Sequence, residues 1–159
     1  MKYFIGALVL SLVTTPTFAN NSKYVKFALD MAHDRGYFGC DKAIKDAFSI
    51  AGGDDMRVVT DKFDDLSDSL KMTVAYGKEG DSILMEAEFR KSQGHCYSTI
   101  SALTSATKSC AAYLSEMSAF KYETETLDYI WAKNAGGVNM ILRPLGANCI
   151  ARFQRTAKF

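Results

Sequence analysis

The sequence lacks a strong motif for catalysis, metal binding or nucleotide binding, and it is poor in several residues that such sites use. It contains two histidines, two prolines and one tryptophan among 159 residues. No segment is low in complexity, and we find no internal repeat. Because the apolar content is that of an ordinary globular domain, we do not expect disorder. The function has to be argued from compartment, fold class and individual residues.

Long apolar runs are also missing after residue 19, so no later segment is a candidate for a membrane-spanning helix. Before that point, Lys2 provides a basic start, residues 4–13 form a short apolar run, and Thr17-Phe18-Ala19 places small residues at a cleavage site. This pattern is typical of a secretory signal peptide. We therefore predict a signal peptide over residues 1–19 and a single α+β domain over residues 20–159, periplasmic or secreted after cleavage at Ala19.

An excess of charge of one sign is missing as well. Without Lys2, the exported chain carries 18 basic and 18 acidic residues. There is thus no overall field to attract nucleic acid or anionic lipid. The predicted cleavage point has no cysteine that could carry a lipid. We expect neither a nucleic-acid partner nor a stable membrane anchor.

The four cysteines include no Cys-x-x-Cys pair, which excludes a thioredoxin-like redox motif and a zinc knuckle. An even number of cysteines in an exported chain predicts two disulfides, with three possible pairings of Cys40, Cys96, Cys110 and Cys149. We favour Cys96–Cys110 with Cys40–Cys149. Cys96 and Cys110 are the closest pair in the sequence, and a chain reversal near Leu103 would bring them together.

The first third of the domain is typical of two helices. Apolar residues recur at helical spacing over residues 24–31, and Gly36 ends that helix. Asp41 is the predicted N-cap of a second helix, whose apolar residues at 44–48 share one face.

The rest of the chain alternates in the manner of strands. Residues 56–68 fit a helix or a strand, and the β-branched side chains at 58–60 favour a strand over residues 57–63. Residues 70–76 and 83–89 alternate around a glycine-containing turn, which predicts a hairpin with one buried face. Further strands are predicted at 96–102, 120–132, 138–142 and 149–154, with a short helix at 105–117. These elements predict an α+β fold: amino-terminal helices packed on a curved, mainly antiparallel sheet of five to seven strands, stapled by two disulfides.

Candidate catalytic and metal-binding groups each have a simpler structural explanation. His95 and Cys96 are neighbours on a strand and point to opposite faces, and His33 has no identifiable nucleophile partner. Glu86 and Glu88 share a solvent-facing strand side, and a solvated strand face explains this carboxylate pair. The aspartates near residue 60 lack the spacing and central glycine of an EF-hand loop. We predict no catalytic residue, no metal site and no cofactor.

Two glycine-framed loops are the predicted partner-binding segments. The first holds Tyr37 and Phe38 between two helices, and the second holds Asn134, Gly136 and Gly137 between two strands. Exposed aromatic side chains in a short joint can anchor an interface, although such side chains also fill cores.

These observations predict a small, exported, non-enzymatic protein-binding module of the bacterial periplasm, such as an inhibitor or an immunity protein. Its expected partner is another protein of the cell envelope. This prediction rests on the small size of the chain, its predicted signal peptide and disulfides, and its lack of a catalytic motif. Two alternatives stay open: a binder of a small apolar ligand held between sheet and helices, and a small hydrolase with an unrecognised site. A large cavity would favour the first alternative, and a buried histidine beside a carboxylate would favour the second.

Overall fold

A computed structural model describes residues 22–53, 55–62 and 68–159, and within these residues the protein has three helices and eight strands. The helices are α1 (Ser22–Asp34), α2 (Asp41–Phe48) and α3 (Cys110–Glu116). The strands are β1 (Asp55–Asp61), β2 (Ser69–Lys78), β3 (Asp81–Ser92), β4 (His95–Ala106), β5 (Phe120–Thr126), β6 (Tyr129–Asn134), β7 (Asn139–Leu145) and β8 (Asn148–Lys158). The predicted signal peptide lies outside the described residues.

The eight described strands form one antiparallel sheet in the order β1-β2-β3-β4-β8-β7-β6-β5. Strands β1–β4 form one up-and-down meander, and β5–β8 form a second. The two meanders join through β4 and β8, which pair from Tyr97–Lys158 to Ala106–Cys149. The last strand in chain order therefore lies near the centre of the sheet, while β1 and β5 form its edges.

Helices α1 and α2 cover one face of β1–β4, as the sequence predicted. Alternating apolar residues of β2 and β3 point toward the helices, and the apolar sides of both helices bury against them. The result is one packed core whose central members are fully buried: Ala28, Ile44, Ala47, Phe48, Met72, Val74, Met85 and Phe89. The helical and strand periodicities of this half are confirmed.

The joint between α1 and α2 follows from one glycine. Gly36 has a φ of +67°, which glycine adopts without steric cost, and its N–H donates to the His33 carbonyl at 2.8 Å. The predicted helix end at Gly36 is confirmed. The predicted N-cap at Asp41 is wrong by one residue, because Cys40 takes that position and Asp41 is the first residue of α2.

Helix α3 covers the second half of the sheet on the same face. The Ser109 hydroxyl caps it by accepting a hydrogen bond from the Ala112 N–H at 3.3 Å. Leu114 and Met117 pack against the core formed by β6, β7 and β8. The helix is shorter than predicted, because β4 continues through Ala106 before the chain turns.

The two halves of the sheet share one arrangement, although we find no repeat in the sequence. In each half, a cysteine at the start of a helix is joined to the second residue of the fourth strand. The disulfides are Cys40–Cys96 and Cys110–Cys149, with Cα–Cα distances of 5.5 and 4.9 Å. Each half is therefore a helix-covered, four-stranded meander with its own disulfide and its own core.

The prediction of two disulfides is confirmed, but the favoured pairing is wrong. Cys96 does not pair with Cys110, because the chain does not reverse at Leu103. Strand β4 runs through Leu103 to Ala106, which at roughly 3.3 Å per residue lies about 33 Å from Cys96. Cys110 consequently starts α3 at the far end of β4 and meets Cys149 there.

The α+β class is confirmed, but the sheet has eight strands rather than five to seven. The strands predicted at 57–63 and over the 70–89 hairpin correspond to β1, β2 and β3. The single strand predicted at 120–132 is two strands, because the chain reverses at Leu127 and Asp128 between paired residues of β5 and β6. Leu127 has a φ of +54°, a conformation that a leucine does not signal in a sequence.

The disulfides indicate an oxidising, extracellular compartment. Of the described helices, none combines the length and the apolar content needed to cross a membrane.

Candidate functional site

All described helices lie on one face of the sheet and leave the other face bare. We call this second surface the open face; it consists of the strand side chains that point away from α1, α2 and α3. Cross-strand pairing aligns one row across its centre, through Arg57, Ala75, Leu84, Leu103, Arg152, Ile141 and Trp131. A solvated sheet face normally carries polar residues, so the apolar members of this row need an explanation.

The apolar part of the row deepens into a groove of about 420 Å³ over β4, β8, β7 and β6. We call it the open-face groove; it is lined by Leu103, Tyr129, Trp131, Ile141, Arg143, Ile150 and Arg152. Trp131 and Leu103 remain 37% and 39% exposed, and Leu84 beside them remains 46% exposed. Exposed tryptophan, tyrosine and arginine next to aliphatic side chains are the composition of interface hot spots.

Two arginines border the groove, and neighbouring polar groups orient both. The Arg152 Nε donates to the Ser101 hydroxyl at 2.8 Å. The Gln154 amide, turned to satisfy both side chains, accepts from Arg152 Nη2 at 2.9 Å. The Arg143 guanidinium lies over the Tyr129 ring, with its carbon 5.7 Å from the centroid. Neither guanidinium forms an ion pair with any described residue.

The first half of the open face carries acidic and basic residues that pair with each other. The Lys71 ammonium lies 2.9 Å from a Glu86 carboxylate oxygen, and this contact raises the pKa of Lys71. Arg90 Nη2 lies 2.6 Å from a Glu88 oxygen. These exposed pairs leave little net charge on the β2–β3 part of the face.

The part of the open face formed by β6, β7 and β8 carries basic residues and no acidic one. After Asp128 the chain holds five basic residues and no acidic one. Arg155 is on the helix side, where it pairs with Asp46 at 2.6 Å. The other four basic residues occupy open-face positions: Lys133, Arg143, Arg152 and Lys158. The open-face groove therefore lies in the basic half of a chain whose overall charge is nearly balanced.

The first predicted loop lies on the helix side, and Tyr37 is part of the core. Its side chain is fully buried, its hydroxyl lies 3.2 Å from Cys40 Sγ, and the Lys91 ammonium is 4.9 Å from its ring centroid. Burial, and then the negative charge of Asp68, raises the pKa of Tyr37 to about 12. Tyr37 packs around the first disulfide and therefore cannot serve as the exposed anchor that we predicted.

Phe38 is 57% exposed, so the two aromatics of this loop occupy opposite environments. Its ring stacks on His33 with centroids 4.9 Å apart. His33 Nε2 in turn lies 3.0 Å from a carboxylate oxygen of Asp41, so its acidic neighbour in space is Asp41 and not the adjacent Asp34. This imidazole is partly exposed rather than buried, and the contacts describe a surface cluster at the start of α2.

The second predicted loop is a turn between β6 and β7 that is closed by its own asparagine. The Val138 N–H donates to Asn134 Oδ1 at 2.9 Å, and the Asn134 N–H donates to the Val138 carbonyl at 3.0 Å. The Asn134 side chain is thus engaged in the turn, while Gly136 and Gly137 are exposed at its tip. The first loop is next to Cys40, which a disulfide joins to β4. In the sheet, β8 and β7 lie between β4 and β6, so the two predicted loops belong to different parts of the molecule.

The remaining chemistry-bearing residues do not assemble into a reactive group. All four cysteines are in disulfides, so Cys96 has no thiol for a pair with His95. His95 is exposed and meets the Tyr97 ring edge-on at 6.5 Å between centroids. Across the described residues, no three His, Cys, Asp or Glu side chains are grouped to hold a metal ion.

No family model, curated protein or solved structure matches this chain. The function is therefore inferred from the chain's own residues. Sequence reasoning singled out loops and missed the open-face groove, although one signal was readable. Apolar residues occupy both alternating faces of β6, β7 and β8, and this stretch holds no acidic residue. A strand that is apolar on both faces has a second surface to bury.

Proposed function

We propose that the chain is a non-enzymatic protein-binding module that acts in the bacterial periplasm after removal of a signal peptide at residues 1–19. Its partner is another protein of the cell envelope, bound through the open-face groove. The observation that carries the proposal is an apolar groove on a sheet face left bare by the described helices, bordered by two arginines that form no ion pair with any described residue. An inhibitor or an immunity protein is the class that fits.

The open face has the dimensions of a protein interface. Eight strands at about 4.8 Å spacing span roughly 34 Å, and strands of six to twelve residues give roughly 20–40 Å in the other direction. A standard interface needs about 800 Å² on each partner, which such a face supplies. Because the paired strands and the disulfides constrain the backbone, little backbone conformational entropy is lost on binding.

The two alternatives receive less support from the described residues. Fully buried Phe48, Phe89 and Met72 fill the contact between sheet and helices, which is where an apolar ligand was expected. The partly exposed His33 does not provide the buried histidine that would favour a hydrolase. In the proposal, the exposed Gly136–Gly137 tip is a secondary contact outside the groove, whereas Phe38 lies on the helix side and does not contact a partner bound in the groove.

A matched pair of variants tests this function. The exported protein is used to capture partners from its own cell envelope, and each captured protein is then purified and titrated against variants. Trp131→Ala should weaken binding by about 2 kcal/mol or more, because a central tryptophan in a groove is a typical hot spot. Phe27→Ala removes an aromatic of similar exposure, 42%, from the opposite side of the molecule and should leave affinity unchanged.

Melting temperatures are measured beside the affinities. A loss of affinity confined to Trp131→Ala, with both variants melting like the parent, supports the proposal. A partner that binds Trp131→Ala as tightly as the parent would show that the open-face groove is not the binding site.

A further inference from the structure

We propose that the open-face groove receives an acidic side chain of the partner protein, with its carboxylate bound by one of the two arginines that border the groove, Arg143 and Arg152, and an adjoining apolar side chain against Trp131 and Leu103. This inference rests on the proposed function and adds the chemistry of the partner. It is carried by the placement of the two arginines and by the charge of the surrounding face.

The two arginines lie on the same face, on adjacent strands. Arg143 pairs with Ile150, and Arg152 pairs with Ile141, so their backbone positions are diagonal neighbours across β7 and β8, about 7–8 Å apart. Their side chains extend in different directions, because Arg152 reaches Ser101 on β4 and Arg143 lies over Tyr129 on β6. Each guanidinium can therefore bind a carboxylate at its own side of the groove.

Both side chains are oriented before a partner arrives. Ser101 and Gln154 engage Arg152 on its Nε and Nη2 side and leave further N–H donors available. The Tyr129 ring supports Arg143 from one side. A guanidinium that is already oriented loses less rotational freedom when it binds a carboxylate in its planar fork.

The arginines of the groove differ from several other basic side chains, which contact a carboxylate of the chain itself. Arg90 and Arg155 each contact a carboxylate oxygen at 2.6 Å, and Lys71 does so at 2.9 Å. Around the groove, strands β6, β7 and β8 contain no acidic residue on either face. The carboxylate that complements these arginines must therefore come from the partner, unless an undescribed residue supplies it.

The occupant is a protein segment rather than a nucleic acid. The chain as a whole has a formal charge of only +1, and a volume of about 420 Å³ accommodates one or two side chains. The lining between the arginines is aliphatic and aromatic, which suits an apolar side chain next to the acid. Nucleic-acid surfaces depend instead on many phosphate contacts along an extended basic stripe.

The experiment uses a display library of random linear peptides as its probe. The disulfide-bonded protein, residues 20–159, is the target for selection, and enriched peptides are then synthesised and titrated in low and high salt. We expect the peptides to carry Asp or Glu next to an apolar or aromatic residue. Changing that acid to its amide should weaken binding about tenfold or more, and high salt should weaken it as well.

Two double variants with the same change in net charge locate the contact. Arg143→Gln with Arg152→Gln should weaken an acidic peptide about tenfold or more and should abolish the difference between acid and amide peptides. Lys133→Gln with Lys158→Gln removes two charges from the same face outside the groove and should weaken binding by less than about threefold.

Four outcomes would count against the inference. Selected peptides without an acid that still require Trp131 would refute the carboxylate site and leave the proposed function standing. Equal losses in the two double variants would assign the effect to general charge. A single-stranded oligonucleotide that binds the groove in preference to every selected peptide would assign it to nucleic acid. A selection that yields no groove-dependent peptide counts against both the inference and the proposed function.

Discussion

Removal of the Cys110–Cys149 disulfide is expected to loosen the second half of the sheet and to leave the first half folded. The change is Cys110→Ala with Cys149→Ala, and its matched control is Cys40→Ala with Cys96→Ala. Each disulfide closes a loop within one half, and neither joins the two halves. Each double variant should therefore damage the half that loses its disulfide.

The size of the effect follows from the loop lengths. The sequence separations are 39 residues for Cys110–Cys149 and 56 for Cys40–Cys96, so loop-closure entropy gives about 4 kcal/mol for either disulfide. Domains of this size have a total stability of about 5–15 kcal/mol. Helix α3 has only seven residues, too few to be stable alone, and Cys110 is its buried anchor. The second half should therefore open locally before the whole domain unfolds.

Urea unfolding and amide hydrogen exchange measure the two parts of this expectation. In the Cys110–Cys149 variant, protection should fall in α3, β5 and β6 while the amides of β2 and β3 stay protected. The control variant should show the reverse pattern. A loss of stability below about 1 kcal/mol, or an equal loss of protection in both halves, would refute the reasoning.

Three further predictions concern side chains outside the groove. Tyr37→Ala should destabilise the domain by about 3–5 kcal/mol, whereas Phe38→Ala should cost less than about 1 kcal/mol; similar urea curves for both would contradict their assigned burial. Unfolding measured at each pH should show stability falling as pH rises from about 10 to about 12, because the unfolded chain ionises Tyr37 near 10.0 while burial holds its native pKa at about 12. Tyr37→Phe should partly flatten that slope, and an unchanged slope would argue against this cause. Replacing His33 and His95 by alanine should change partner affinity by less than about twofold in titrations, since neither lines the groove; a tenfold loss with an intact fold would revive a role for the histidines.

Local patterns in the sequence predicted the parts of the fold that local physics determines. The β2–β3 hairpin alternates cleanly around a glycine turn, and α1 ends at Gly36, where a positive φ is needed. The hairpin at Leu127 escaped prediction because neither turn residue is a glycine or an asparagine. The disulfide pairing escaped because it depends on where β4 ends, and strand ends are poorly marked by composition.

The open-face groove depends on tertiary structure that no short segment reveals. Alternation shows that Trp131 and Tyr129 share a strand face, but it does not show that every described helix lies on the other side. The row that joins Trp131 to Leu103 exists only because β8 inserts between β4 and β7. The absence of acidic residues from β6, β7 and β8 is visible in the sequence. It was missed because the charge of the whole chain is balanced.

The position of β8 has a consequence for biogenesis. Strand β4 ends at Ala106 and its partner begins at Asn148, so a chain made from its amino terminus completes the first meander before β8 exists. Strand β5 is an edge strand of the complete sheet. It carries Lys121, Glu123 and Glu125 and a register shift, which discourage pairing with other chains. Strand β4 has no lysine, arginine, carboxylate or proline along its length. Until β8 is synthesised, the first half exposes the unpaired edge of β4. A product that stops before β8 would therefore pair with a second copy or aggregate.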